Sequence, residues 1–175
     1  MEAAHGRLRD LESSSFDDFY RAEYSSVVGL AYAMTGNRWV AEDLAQDAFI
    51  AAQRSWDKIR EYEQPGAWVR RVLANRSISR FRRLRTEKWA LPRLAAAESS
   101  TSLPDVSAHA DEIWEMVRKL PRRQAQVTAL TFVDGCSLQE IGEILEMSPF
   151  TAKTHLQRAK TALAEQLSTE RGDRP

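Results

Sequence analysis

Only one cysteine, Cys136, occurs in 175 residues. A lone thiol excludes an intramolecular disulfide and a cysteine-rich metal site, and it suits a reducing cytosol. Glycine and proline are scarce, with 7 and 6 copies, and no run of β-branched residues alternates with polar ones. Helix is therefore the expected class. No stretch approaches the roughly 20 apolar residues that span a bilayer. The first residues, MEAAHGRLRDLESSS, lack the apolar segment of a signal peptide, so a cytoplasmic location is expected. There is no Gly-rich phosphate loop and no histidine beside the paired carboxylates of the N-terminal half. No catalytic residue, metal ligand or cofactor is expected, and the chain does not read as an enzyme.

The formal net charge is +0, which argues against a generic DNA coat. The distribution says more. Between residues 10 and 63 acids dominate, with Asp17, Asp18, Glu42, Asp43 and Asp47 among them. From residue 70 to 93 the sign reverses: Arg70, Arg71, Arg76, Arg80, Arg82, Arg83, Arg85, Lys88 and Arg93 face only Glu87. Adjacent blocks of opposite sign point to two partners of opposite character.

Hydrophobic spacing lays out two all-α groups. A first helix over residues 15–34 has Ser15 and Asp18 as a capping-box variant, an apolar face of Phe16, Phe19, Tyr20, Val27, Leu30, Ala31 and Met34, and a stop at Gly36-Asn37. A second, from Arg38 to about Lys58, is expected to bury Trp39, Val40, Leu44, Ala48, Ala51 and Ala52. Pro65 opens a third, reaching about Thr86, with Trp68, Val72, Ile78 and Phe81 expected inside and Val69 and Leu73 partly so. Pro92, Pro104 and the run ESSTS then break the pattern, as a flexible linker would. A second group follows from His109. Ile113, Trp114, Val117 and Leu120 share one face; Val127, Leu130 and Val133 the next. Ser137 and Glu140 form a capping box ahead of Leu138, Ile141, Ile144 and Leu145, and Ser148-Pro149 opens a last helix with the stripe Ala152, Leu156, Ala159, Leu163 and Leu167.

The last two helices have the spacing of a helix-turn-helix. With its stripe turned inward, the last helix presents Phe150, Thr151, Lys153, Thr154, Gln157 and Arg158, several of them base-edge or phosphate ligands by type; His155 sits at the edge, where packing serves it equally well. In the first group, Arg71, Asn75, Ser79 and Arg82 align on one face of the third helix, with Arg76, Arg80 and Arg83 on its flank. Asn pairs with adenine and arginine neutralises phosphate. Tyr62 and Trp68 have the chemistry to stack on an unpaired base, though Trp68 is as readily a core residue. Asp43, Gln46 and Asp47 form an acidic face best suited to docking a protein.

Together these segments resemble the extracytoplasmic-function (group 4) sigma factors of bacterial RNA polymerase. AEDLAQDAFIAAQRSW (41–56) is similar to that family's polymerase-binding helix, PGAWVRRVLANRSISRFRR (65–83) to its −10-reading helix, and residues 120–163 to region 4. The resemblance implies two helical domains on a flexible linker: an extension over 1–14, sigma region 2 over 15–88, a linker over 89–108, sigma region 4 over 109–168 and a tail over 169–175. It implies that Asp43, Gln46 and Asp47 dock the clamp helices of the polymerase β′ subunit, with the β flap as a further contact. Tyr62, Trp68, Arg71, Asn75, Arg76, Ser79 and Arg80 would then serve the −10 element, and Phe150, Thr151, Lys153, Thr154, His155 and Arg158 the −35 element. It also implies an anti-sigma protein as partner and a monomer in its absence. Phe150 departs from the family, whose members often carry Gly there; a ring at this place can meet a thymine methyl or shift the helix's approach. The alternative is a LuxR-type regulator, whose helix-turn-helix SPFTAKTHLQRA also resembles.

Overall fold

The computed structural model describes residues 15–90 and 108–172, with side chains described over 15–77 and 111–169. The expected N-terminal extension, most of the linker and the end of the tail lie outside the described residues, as do the side chains of Ile78, Ser79, Arg80 and Phe81. Every regular element among the described residues is a helix: α1 Phe16–Thr35, α2 Arg38–Arg54, α3 Trp56–Ile59, α4 Pro65–Ala90, α5 Ala108–Lys119, α6 Arg122–Phe132, α7 Leu138–Leu145 and α8 Pro149–Gly172.

Local chemistry sets the ends. The Ser15 hydroxyl accepts from the Asp18 amide, but Asp18 uses its carboxylate on that hydroxyl and not on the Ser15 backbone; one methylene shorter than Glu, it closes half a capping box. Gly36 ends α1 in the left-handed region (φ 66°), and Asn37, expected as part of that stop, caps α2 through the Val40 amide. At α7 the full box forms, with Ser137 accepting from the Glu140 amide and the Glu140 carboxylate accepting from the Ser137 amide. The Ser148 hydroxyl accepts from the Thr151 amide at the start of α8.

The helix expected to run to Lys58 breaks at Ser55. The short α3 then carries Trp56 back onto α1, where its ring lies 5.4 Å from that of Phe16 and 4.8 Å from that of Phe19. Ile59, placed in a polar loop by its neighbours, is buried in consequence.

Several burial expectations are corrected. Trp39 is 77% exposed. The buried face of α2 is Ala41, Leu44, Ala45, Ala48, Phe49 and Ala52, and two residues of helix rotate Trp39 about 200° away from Ala41. On α4 the order is inverted: Val69 and Leu73 are fully buried, Trp68 and Val72 half-buried. The stripe of α4 that includes Val69, Leu73, Ala74 and Ser77 faces α1 and α2 and is also met by α7, so it is covered from more sides than a three-helix core would allow. Ile113, Val133 and Leu167 are exposed: Val133 caps the end of α6, and Leu167 lies past Leu163, beyond the helices α8 packs on.

The two domains are in contact. One continuous apolar cluster joins Phe19, Leu30, Leu44 and Leu73 of the first to Val127, Leu130, Ile141 and Ala152 of the second. Helix α1 packs on α5 and α6, and α4 packs on α7.

Candidate functional site

Three surfaces carry the polar residues singled out by sequence. The first is the outer face of α2. Small residues on its inner face let α2 lie close to α1 and fix the outer one, where Trp39, Asp43, Gln46 and Ile50 are exposed and Asp47 half-exposed. Glu42 pairs with Arg38 at 2.9 Å, and Asp47 with Arg76 of α4 at 3.0 Å. Exposed Trp39 and Ile50 thus bracket a polar centre, an arrangement the sequence reading missed because it assigned Trp39 to the core.

The second surface is α4 and the loop before it. Tyr62 and Asn75 are exposed, while Trp68 is half-buried against the core. Arg76 faces α2 through Asp47. Arg71 turns the other way: its Nη2 donates to the Glu143 carbonyl at 2.5 Å and its Nη1 lies 3.2 Å from the Glu146 carboxylate. Arg71 and Asn75 stay one turn apart on this helix, with Arg71 held by the second domain and Asn75 exposed. Ser79 and Arg80 lie on the same helix, with their side chains outside the described set.

The third surface is the start of α8. Phe150 is 78% exposed, and Lys153, Gln157 and Arg158 are exposed beside it. Thr151 and Thr154 are half-buried, and their hydroxyls are used locally: Thr151 shares a 2.8 Å hydrogen bond with Ser148, and Thr154 donates to the Phe150 carbonyl at 3.0 Å. His155 is half-buried, with its Nδ1 enclosed and without a hydrogen-bond partner.

A fourth constellation escaped the sequence reading. Arg70, counted there with the basic block, is buried. Its Nη1 donates to Glu23 at 2.6 Å and to the Gly66 carbonyl at 3.2 Å, its Nη2 to Ser26 at 3.1 Å, and its Nε to Asp134 at 2.8 Å. Burial alone would push the guanidinium toward neutrality; Asp134 and Glu23 outweigh that and hold it charged. The signal was there to find: Arg70 shares a stripe with Leu73, Ala74 and Ser77, and Glu23 one with Phe19 and Val27. A charge on an apolar stripe needs a buried partner.

Among the described residues no His, Cys, Asp or Glu group could hold a metal ion, and no helix is long and apolar enough to cross a membrane.

The segments match known proteins in the same order. Sigma-70 region 2 matches residues 19–87, and Sigma-70, region 4 matches residues 110–163. The chain is 30% identical over 169 residues to the ECF RNA polymerase sigma factor SigW of Bacillus subtilis (strain 168), covering 89% of this chain and 90% of that protein. It is 28% identical over 174 residues to an RNA polymerase sigma-E factor of Streptomyces avermitilis, covering 95% and 89%. The fold is similar to that of the sigma factor RpoE crystallised with the anti-sigma factor NepR from Bartonella quintana, with a TM-score of 0.71 at 20% identity over 91% of this chain and 98% of that one. It is also similar to CnrH in complex with the cytosolic domain of CnrY, with a TM-score of 0.63 at 20% identity over 95% and 98%. The region 2 match accounts for the N-terminal helices, which the LuxR-type alternative leaves unexplained, so that reading is not favoured. With both regions in order and a relative aligned along nearly the whole chain, this protein belongs to the extracytoplasmic-function sigma factors, which direct promoter-specific transcription initiation by bacterial RNA polymerase.

Proposed function

We propose that the three surfaces divide the work of initiation. The outer face of α2 docks the clamp helices of the core polymerase through Asp43, Gln46 and Asp47. Helix α4 and the preceding loop serve the −10 element: Asn75, Arg71, Arg76, Ser79 and Arg80 track the opened strand, and Tyr62 and Trp68 flank an unstacked base. The start of α8 meets the −35 element through Phe150, Thr151, Lys153, Thr154, His155 and Arg158. Region 4 also meets the β flap.

The observation that carries this division is the position of the acidic face. It is exposed, yet its Asp47 lies 3.0 Å from Arg76 on the basic helix, so protein docking and strand reading occupy adjoining surfaces of one small domain. Each DNA reader alone has few contacts, and a good base contact is worth about 1–3 kcal/mol. Holding both on one polymerase raises their joint affinity without new contacts. Capturing an unstacked base offsets a melting cost of a few kcal/mol per base. The free chain is a monomer, and an anti-sigma protein is its regulatory partner; the RpoE structure, solved with the anti-sigma factor NepR, supports the second of these.

In vitro transcription with core enzyme on a promoter library tests the reading. Asp43→Lys and Asp47→Lys, made separately, should each abolish core binding and leave helicity unchanged. Tight promoter binding by the purified chain without core would overturn it.

A further inference from the structure

A buried ion pair ties the start of α4 to α1. Glu23 and Arg70 have side chains 6% and 10% exposed and lie 2.6 Å apart. Arg70 points back along its own helix, as helical side chains do, and its Nη1 also donates to the Gly66 carbonyl at 3.2 Å. Its Nη2 donates to Ser26 at 3.1 Å and its Nε to Asp134 at 2.8 Å. Glu23 and Ser26 stand about one turn apart on α1, so the guanidinium links successive turns of α1 to the first turn of α4. The helices meet closely there: a Cβ on Gly66 would lie 3.2 Å from Glu23 Oε2.

Such a pair is a poor source of stability, because desolvating both charges offsets much of their attraction. Apolar side chains of similar volume would hold α4 on α1 as firmly and would let it slide. A planar guanidinium bonded to fixed acceptors fits in one register. What the charges add over apolar packing is position.

The first turn of α4 is also the end of a short loop. Ile59 is buried before this loop, and Pro65 and Gly66 are buried after it, while Arg60, Glu61, Tyr62 and Glu63 are exposed. The Tyr62 amide donates to the Ile59 carbonyl at 3.0 Å, and the Ala67 amide to the Gln64 carbonyl at 3.1 Å. A shift in the first turn of α4 therefore moves the loop, and Trp68 with it. Glu23 and Arg70 are themselves buried and touch the DNA only through what they hold in place.

We propose that Glu23 and Arg70 are positioning residues for the −10 element. They keep the first turn of α4 in one register, so that Tyr62 and Trp68 are set for an unstacked base before DNA arrives. Setting the loop in advance removes an ordering cost from binding. This deepens the role proposed above for Tyr62 and Trp68 and rests on it.

Holoenzyme carrying Glu23→Gln or Arg70→Lys tests the proposal. The probe is a single-stranded oligonucleotide with the non-template −10 sequence of a promoter active in the library. Glutamine keeps an acceptor for Arg70, which stays paired with Asp134, so no buried charge is left alone. Lysine keeps the cation and loses the fork. Each variant should keep its helicity, bind core within about twofold of native, and bind the probe about tenfold more weakly, the scale of one charge-assisted hydrogen bond. Combination with Tyr62→Ala separates positioning from packing. If Glu23 acts through the loop, the two losses should combine to less than their product. Losses that multiply, a parallel loss of helicity and core binding, or unchanged probe affinity in both variants overturns the proposal and leaves the role of Tyr62 standing. If Tyr62→Ala and Trp68→Ala themselves bind the probe as native protein does, the loop's proposed role fails and the positioning role falls with it.

Discussion

Arg76 Nη1 lies 3.0 Å from a carboxylate oxygen of Asp47, with each side chain 45% exposed. The pair joins the proposed polymerase-docking helix to the proposed strand-reading helix. At this exposure it contributes at most about 1 kcal/mol to folding. Asp47→Asn should therefore leave the melting temperature within about 3 °C of the native value and weaken core binding, measured by fluorescence anisotropy of labelled core. Arg76→Ala should likewise spare stability and core binding, and lower open-complex formation in a permanganate footprint. A large loss of stability in either variant would make the pair structural.

Two glycines should respond in opposite directions. A Cβ on Gly29, inside α1, would meet Val133 Cγ1 at 3.8 Å, an ordinary contact. Alanine there removes the entropic cost of a mid-helix glycine, so Gly29→Ala should stabilise by about 0.5–1 kcal/mol. A Cβ on Gly66 would stand 2.8 Å from Arg70 Nη1 and 3.2 Å from Glu23 Oε2. Gly66→Ala should displace the buried pair and destabilise. Urea denaturation of the two variants side by side reads both signs.

How much of this was legible in the sequence follows from which interactions are local. Caps and turns are: Ser15, Gly36, the Ser137–Glu140 box and the Ser148 cap can be read within four residues, and all form. The helix-turn-helix and the exposure of Asp43, Gln46, Lys153 and Arg158 follow from the same spacing. The phase of a stripe is less local. Trp39 counts as core by hydrophobicity, but the close approach of α2 to α1 selects the face of small residues instead. The junction between domains is not local at all. Arg70 and Asp134 are 64 residues apart, on either side of the segment read as a linker, and nothing in spacing says that those domains touch.

The turn of the helix-turn-helix should be intolerant of volume. A Cβ on Gly142 would lie 2.7 Å from the Met147 carbonyl oxygen, a backbone atom with no flexible end to yield. The Met147 and Glu146 amides both donate to the Gly142 carbonyl, fixing that approach. Gly142→Ala should destabilise the second domain and cost −35 binding together with fold, seen as parallel losses in helicity and gel-shift affinity. Phe150→Ala should separate the two: at 78% exposure the ring adds little to folding, so helicity should hold while −35 sequence preference changes.

At the α8 surface, Lys153 and Arg158 are exposed and separated by about one and a half turns. If both neutralise phosphate, each alanine variant should reduce the slope of log affinity against log salt by about 0.9. Holoenzyme binding to promoter DNA across a salt series measures this. An unchanged slope with altered sequence preference would assign the side chain to a base edge.

Cys136 reports on both burial and the contact between domains. Burial pushes its thiol up to about 12 from 9.0, with Asp134 adding to the rise and Arg70 opposing it. The folded state therefore holds the proton more tightly than the unfolded chain. Well below pH 9.0 both states are protonated and the contribution is fully present; as pH approaches and passes 9.0 the unfolded thiol ionises first, so stability falls and the contribution is gone once pH passes about 12. At pH 8.5 the folded chain should react with iodoacetamide far more slowly than the urea-unfolded chain, since the thiolate is the nucleophile. Asp134→Asn removes one of the charges that raise the thiol and weakens a contact beside it, so alkylation should accelerate while helicity is kept. Equal rates in native and Asp134→Asn protein would mean that neither that charge nor the packing it secures protects Cys136.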